Sequence, residues 1–311
     1  MPKVSVIIPT YNRAEFLRSA IRSVLNQTFQ DFEIIVIDDA SENNTEEVVR
    51  SFGDIGIRYF RHELNKGNAA ARNTGIKNSG GHYIALLDDD DEWLPSKLEK
   101  QVRLLDSTPP IVGAVYTGFV EIEKANGKTV VVTPTKRGSI FNDLLLQNWI
   151  GLSTVLLRRE CFDKVGSFDE NLPATVDYDM WIRIAKEFQF DFIPEPLVKY
   201  SNHQSQLSHN YEIVIKGLEA QIKKNGLLFA SNRKGFSNLY LSLGKLYCYT
   251  GNIRKGRQAL LKAIGLYPFE IRNYYNLCLS LSGSRNFKKF KDSKGKLAAK
   301  MHTSFTSVLK E

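Results

Sequence analysis

Val4-Ser5-Val6-Ile7-Ile8-Pro9-Thr10-Tyr11-Asn12 decides the fold: a β-branched apolar run closed by proline and then by polar residues, the form of a strand buried on both faces of a parallel sheet. A helix follows, because Phe16, Leu17, Ala20, Ile21, Val24 and Leu25 fall on one face at 3.6 residues per turn. A second buried strand is expected at Phe32 to Ile37, stopping at Asp38-Asp39-Ala40-Ser41. Beyond it the pattern predicts a polar helix near Thr45 to Phe52, a short strand at Ile57 to Phe60, a helix near Asn68 to Asn78 and a strand at His82 to Leu87. Such alternation predicts an α/β fold with a mostly parallel, doubly wound sheet flanked by helices. Ligands of these sheets bind beyond the carboxyl ends of the strands. Here those ends are strongly polar: Thr10-Tyr11-Asn12, Asp38-Asp39 and Asp88-Asp89-Asp90-Asp91-Glu92.

Further along, alternating Val115 to Glu121 and Thr129 to Thr133 flank Ala125-Asn126-Gly127-Lys128, a hairpin signal. A helix is expected around Asp177 to Phe188. Pro194-Glu195-Pro196 should break the chain before a last extended piece at Leu197 to Tyr200. From about residue 211 the pattern is helical throughout. Tyr240, Leu243, Gly244, Tyr247, Gly251, Gly256, Leu260, Ala263 and Pro268 stand at the spacing of a tetratricopeptide unit, with Tyr240 where tryptophan is usual and Gly256 where alanine is usual. One such helical hairpin falls short of the three units an independent array needs. The expected organisation is therefore an α/β domain over residues 1–210, a helical region over 211–284 and a basic tail over 285–311.

The chain has 311 residues, 42% hydrophobic and 24% charged, a globular composition that excludes a largely disordered chain. No apolar run approaches the roughly 18 residues that cross a bilayer, and Met1-Pro2-Lys3 leads directly into a strand without a signal-like segment, so a location inside the cell is expected. Cys161, Cys248 and Cys278 are odd in number and lack Cys-x-x-Cys spacing, against a disulfide framework or a zinc site. The net charge of +8 is unevenly divided. Residues 231–311 hold 16 Lys/Arg against 3 Asp/Glu, leaving the rest mildly acidic, so the charge is no nucleic-acid signature of the whole chain. The tail, from Phe287-Lys288-Lys289-Phe290-Lys291 through Lys300, mixes aromatics with lysines as nucleic-acid and membrane surfaces both do, and reads either as a solvated end or, the more economical functional idea, as a segment drawn to an anionic membrane surface.

An acidic triplet in isolation reads as a solvated loop. Asp88-Asp89-Asp90 instead ends a buried strand at the ligand edge, where oxygen ligands suit a hard divalent cation shared with a phosphate. Of Asp38 and Asp39, one carboxylate is expected to cap the following turn and the other to be free for recognition beside Tyr11. Arg72, in Ala69-Ala70-Ala71-Arg72-Asn73, reads as a surface ion pair or as a contact to an acidic loop or phosphate. Asp177, at the start of a helix, reads as a cap or as a general base. Asp179 points elsewhere on that helix, and Met180 and Trp181 anchor it. His203 reads as structural or as a metal ligand.

Taken in order, the first strand through Asn12, the segment Phe32 to Ser41, Ala71-Arg72-Asn73, the aspartate triplet and Asp177-Tyr178-Asp179-Met180-Trp181 resemble the motifs of family 2 glycosyltransferases with the GT-A fold, over about residues 3–208. Gly166-Ser167-Phe168-Asp169-Glu170 also resembles the family's approach to its acceptor site. The resemblance implies that Pro9, Thr10 and Tyr11 border the nucleobase, that Asp39 bonds it, and that Arg72 and Asp89 hold the nucleotide of a donor, UDP-linked. It implies a DxD motif in which Asp88 and above all Asp90 bind Mn2+ or Mg2+, joined by His203, and a catalytic base at Asp177 that transfers a sugar with inversion to a glycan or lipid-linked acceptor. Val176 stands where the family commonly has an acidic residue, and Ser201 where it often has arginine. Two other readings fit parts of the pattern: a nucleotidyltransferase, against which no Gly-rich phosphate loop with a lysine follows the first strand, and an inactive nucleotide-binding domain carrying a helical protein-binding module.

Overall fold

A computed structural model describes residues 1–53, 56–123, 128–203 and 206–293. The chain divides into two compact units, residues 1–144 with 148–206 and residues 145–147 with 207 onward.

The first unit is built on a nine-stranded mixed sheet. Its elements run β1 (Val4–Thr10), α1 (Ala14–Leu25), β2 (Phe32–Asp38), α2 (Thr45–Arg50), β3 (Ile57–Arg61), α3 (Asn68–Lys77), β4 (Tyr83–Leu86), β5 (Glu92–Trp93) and α4 (Lys97–Ser107). There follow β6 (Val112–Glu123), β7 (Lys128–Val132), α5 (Phe141–Leu146), β8 (Leu156–Arg158), α6 (Arg159–Val165), α7 (Val176–Glu187) and β9 (Gln189–Asn202). The strand order is β3-β2-β1-β4-β8-β6-β9-β5, with β7 paired to β6. The four strands β3, β2, β1 and β4 are parallel, as the alternating pattern requires. The rest mixes directions: β8 lies antiparallel between β4 and β6, and β9 runs parallel to β6. The residues joining β6 to β7, 124–127, lie outside the described residues; the antiparallel pair itself is formed.

Every residue of β1 is buried, and β2 is buried from Ile34 onward. Leu17, Ile21 and Val24 of α1 are fully buried with Val4, Val6 and Ile8 in one apolar cluster. At about 1.5–3 kcal/mol for each large side chain taken from water, this single helix face contributes several kcal/mol. Pro194-Glu195-Pro196 does not break the chain, contrary to expectation. The strand β9 continues through it, with two register shifts opposite Gly118 that put the prolines where the ladder is already interrupted.

The second unit is helical: α8 (Tyr211–Ala230), α9 (Arg233–Tyr249), α10 (Ile253–Leu266) and α11 (Ile271–Leu281), followed by helical residues 284–293. The hairpin expected near residue 251 is formed by α9 and α10. Gly244 is needed there because a Cβ would stand 2.7 Å from Leu260 Cγ and 3.1 Å from the Gly256 carbonyl oxygen. Cys161 and Cys248 are buried and Cys278 is exposed, all as free thiols. Among the described residues no helix is long and apolar enough to cross a membrane.

Candidate active site

The strand ends β1, β4 and β9 bring four consecutive aspartates into different bonds. Thr10 Oγ1 donates to Asp89 Oδ2 at 2.7 Å, and Arg13 Nη1 reaches both Asp89 Oδ1, at 3.2 Å, and Asp90 Oδ2, at 2.9 Å. His203 Nε2 lies 2.9 Å from the same Asp90 oxygen, its ring stacked on Phe16 at 4.9 Å between centroids. Asp91 accepts from Ser153 Oγ at 2.6 Å and from the Ser201 N–H at 3.1 Å. Asp89, Asp90 and Asp91 are buried. Burial pushes the Asp89 carboxyl up to about 7 against the pull of Arg13, with the neighbouring charges of Asp90 and Asp88 adding to it. Burial likewise holds Asp91 well above the usual carboxylate range.

Beside this strip lies a second cluster. The small side chains Ala69, Ala70 and Ala71 bury α3 against the sheet and carry Arg72 in with them. Arg72 is no surface ion pair: it is 4% exposed, and its Nη2 donates to Asp88 Oδ1 at 2.6 Å. Its Nε is buried without a hydrogen-bond partner, a donor left available at the site. Asp177 is half-buried in the first turn of α7, inside the helix and not at its cap, which is Thr175. Asn148 Nδ2 donates to Asp177 Oδ2 at 3.0 Å, and Asn148 Oδ1 accepts from the Ile150 N–H at 3.1 Å, so the backbone fixes which end of the amide faces the carboxylate. Burial raises the Asp177 pKa, opposed by the Tyr178 N–H, Arg72 and Asn148 and assisted by Asp88. Asp177, Arg72 and Asp88 therefore feel one another's charge.

At the other edge, Asp38 caps its turn, accepting from the Ser41 N–H at 2.8 Å and from the Tyr59 hydroxyl at 2.6 Å. Asp39 is not free, as the sequence suggests. Its Oδ1 takes His62 Nδ1 at 2.7 Å and the Lys66 N–H at 2.9 Å, and its Oδ2 takes the Gly67 N–H at 2.7 Å, tying β2 to the entry of α3. Pro9 is buried and Tyr11 exposed next to them. Among the described residues, three other than glycine hold left-handed backbone, and all three flank this site: Asn12 (φ 55°), Ala40 (φ 69°) and Thr175 (φ 62°). The first two sit in loops knitted together by Asn12 N–H to Ser41 Oγ and Glu42 N–H to Asn12 Oδ1, each 2.8 Å.

The segment 165–170 is held from two sides. Asn73 donates to the Phe168 carbonyl and to Glu170 Oε1 and accepts from the Phe168 N–H. Asp179, fully buried, fixes Arg183, whose guanidinium donates to the Val165 and Ser167 carbonyls. Met180 and Trp181 are fully buried, the anchors expected of them.

Among the described residues no three His, Cys, Asp or Glu side chains gather into a set able to hold an ion alone. Asp90 and His203 converge, whereas Asp88 is held by Arg72. One carboxylate oxygen and one imidazole nitrogen fit a Mn2+ or Mg2+ ion that takes its remaining ligands from a diphosphate and water. Arg13, on the same Asp90 oxygen, would have to yield that oxygen to it. Sequence reasoning gave no role to Arg13, Asp91 and Asn148, and quoted Asn73 only beside Arg72. Arg13 and Asp91 extend motifs already read; Asn148 carries no local signal, since only the fold sets it beside Asp177.

The sequence model of glycosyl transferase family 2 matches residues 5–164. The chain is 35% identical over 253 residues to an uncharacterized glycosyltransferase of Rickettsia typhi, covering 78% of each. It is 34% identical over 212 residues to the UDP-Glc:alpha-D-GlcNAc-diphosphoundecaprenol beta-1,3-glucosyltransferase WfgD of Escherichia coli, covering 67% of this chain and 80% of that one. Its fold is similar to that of a mannosyltransferase from Pyrobaculum calidifontis solved with GDP-Man and Mn2+, with a TM-score of 0.60 at 18% identity over 93% of this chain and 88% of the other.

Proposed function

The chain belongs to glycosyltransferase family 2, and from that membership we propose an inverting, metal-dependent enzyme that moves a sugar from a UDP-linked donor to a hydroxyl of a polysaccharide, oligosaccharide or lipid-linked acceptor in cell-surface glycan synthesis. The observation that carries it is the meeting of two bonded pairs, Asn148 with Asp177 and Arg72 with Asp88, close enough to feel one another's charge, beside the strip of Thr10, Asp89, Asp90 and His203. A carboxylate whose pKa is raised by burial and whose orientation is fixed is suited to act as a general base. Asp177 takes the proton of the acceptor hydroxyl as that oxygen bonds the anomeric carbon, and the bond to the donor phosphate breaks on the opposite face, so the configuration inverts. Pro9, Thr10 and Tyr11 border the nucleobase, with the exposed Tyr11 ring available to stack. Asp39 bonds the base with its remaining acceptor capacity, and Arg72 and Asp89 hold the nucleotide.

Mn2+ or Mg2+ held by Asp90 and His203, with Asp88 alongside, would draw charge from the departing nucleoside diphosphate. Support for a uridine donor comes from the UDP-Glc named for the E. coli relative, and for a divalent ion from the Mn2+ in the archaeal structure. The same relative's diphosphoundecaprenol acceptor favours work at the cytoplasmic face of a membrane, to which the basic residues 285–311 are attracted. The α9–α10 hairpin is a tetratricopeptide-like element of the helical region. Calorimetric titration of UDP with and without Mn2+, repeated with GDP and with Asp90→Ala, tests the site. Metal-dependent UDP binding that Asp90→Ala abolishes is expected; absence of binding by either nucleotide would refute the donor site and favour an inactive scaffold.

A further inference from the structure

The helix α11 faces the wrong way for a soluble protein. Its most deeply buried residues are polar: Asn273, Asn276 and Ser280 are 0–3% exposed, with Asn273 bonded to Ser237 Oγ at 3.0 Å and the Ser280 carbonyl bonded to Arg257 at 2.8 Å, while Leu277 and Leu279 pack against the core at the flanks. Its outer side is apolar. Ile271, Tyr274, Tyr275, Cys278 and Leu281 recur at i, i+3, i+4, i+7 and i+10, which sets them on one stripe opposite the docked face. Ile271 is 76% exposed and Leu281 67%. Phe290, from the helical residues after it, continues the stripe with its ring centroid 6.2 Å from that of Tyr275.

A contiguous apolar patch of this kind is a binding surface, and its rim says for what. Lys289 is exposed next to Phe290 in sequence, and Lys291 lies over the Tyr275 ring at 5.3 Å. Residues 231–311 carry 16 Lys/Arg against 3 Asp/Glu. Lysine is depleted from protein–protein interfaces, whereas aromatic and aliphatic side chains set among lysines suit the headgroup boundary of an anionic bilayer. We propose that the outer face of α11 inserts into an anionic lipid surface, with Ile271, Tyr274, Tyr275 and Leu281 in the acyl boundary and Lys289 and Lys291 among the headgroups. This deepens the reading that the enzyme works at a membrane and rests on it: the tail supplies long-range attraction, the helix face the apolar anchor.

The test is co-sedimentation of the full chain with phosphatidylglycerol and with phosphatidylcholine vesicles, at low salt and at about 1 M salt, where charges are screened within about 3 Å. Wild type is expected to bind the anionic vesicles and to retain part of that binding in high salt. Ile271→Ser/Leu281→Ser, which changes no charge at positions that make no core contact, should weaken binding by about tenfold or more at either salt. Lys294→Gln/Lys296→Gln/Lys300→Gln should weaken it at low salt only. If the serine pair binds as wild type while the tail variant does not, the helix-face inference fails and the tail reading survives. If wild type binds neither vesicle, both fail. Light scattering supplies the remaining arm: a dimer that the serine pair dissociates would reassign the face to a second copy of the chain and overturn the inference.

Discussion

Gly75→Ala should unseat the platform that carries Arg72. A Cβ at Gly75 would stand 2.4 Å from Ile7 Cγ2, 3.3 Å from Ile7 Cγ1 and 3.4 Å from Ile37 Cγ1. Carbon atoms rest at about 3.5–4.0 Å, so α3 must lift by about 1 Å or the sheet must yield. Ile7 and Ile37 are fully buried on adjacent strands and have nowhere to go. Alanine gains about 1 kcal/mol over glycine in helix propensity, while overpacking costs about 1–3 kcal/mol. An overlap this deep, against a branched side chain, belongs at the upper end, so a net loss of about 1–2 kcal/mol is expected in urea denaturation. Arg72 lies one turn earlier on the same helix, and its 2.6 Å bond to Asp88 cannot stretch by 1 Å and remain a hydrogen bond. UDP affinity should therefore fall by about tenfold in calorimetric titration. Ile7→Ala alone should cost about 2–5 kcal/mol, but combined with Gly75→Ala the new methyl group fills part of the space. The double variant should be at least about 1 kcal/mol more stable than the sum of the two losses. Strict additivity, or a Gly75→Ala protein as stable as wild type, would refute the steric account.

Asp177→Asn should lower transfer by about 10²–10⁴-fold in a radiolabelled sugar-transfer assay while leaving UDP affinity unchanged; wild-type turnover would end its role as base. Because burial raises the Asp177 pKa, the carboxylate form is lost earlier on acidification than for an ordinary aspartate. The acid limb of kcat/KM should accordingly lie above the usual aspartate range, and a limb at or below that range contradicts the assignment. Arg72→Met should weaken UDP binding by tenfold or more and cost about 1–2 kcal/mol in denaturation, since the partly exposed Asp88 regains water when its partner is removed. Retained UDP affinity would leave Arg72 a purely structural residue. Lys97, fully buried over the Trp93 ring at 3.8 Å, is held well below its ordinary pKa by burial. Between that lowered value and the ordinary one the unfolded chain binds a proton that the folded chain does not, so stability should rise with pH by up to about 1.4 kcal/mol per unit. Denaturation across alkaline pH should show the rise in wild type and its absence in Lys97→Met; equal slopes would count against a buried neutral amine.

The parallel half of the sheet was legible because its strands are buried on both faces and announce themselves as unbroken apolar runs, as in Val4 to Ile8 and Ile34 to Ile37. The acidic edge was legible for the same reason: polar residues that end such a run must lie at the sheet's rim. What stayed hidden depends on distant pairings. The strand β8 has three residues and pairs with β4 and β6 across long separations, leaving no periodicity to read. The Pro194-Glu195-Pro196 segment resembles a break because a bulge is a property of two strands together, and only β6 supplies the other. Asp39 looked free because its partners at residues 62–67 come from another loop, and Asn148 looked like any loop asparagine.

The bond between His203 and Asp90 spans 113 residues. On a ribosome adding about 5–20 residues per second, roughly 6–23 s separate the emergence of the acidic strip from that of its last partner. Through that interval β1 to β4, with Thr10, Arg13, Arg72 and Asp39, can already assemble from nearby sequence, while the pairing of β6 with β9 must wait for the far strand. Thr10, Arg13, Asp39 and Arg72 can thus stand in place around Asp89 and Asp90 before Ser201 and His203 arrive to close the cluster.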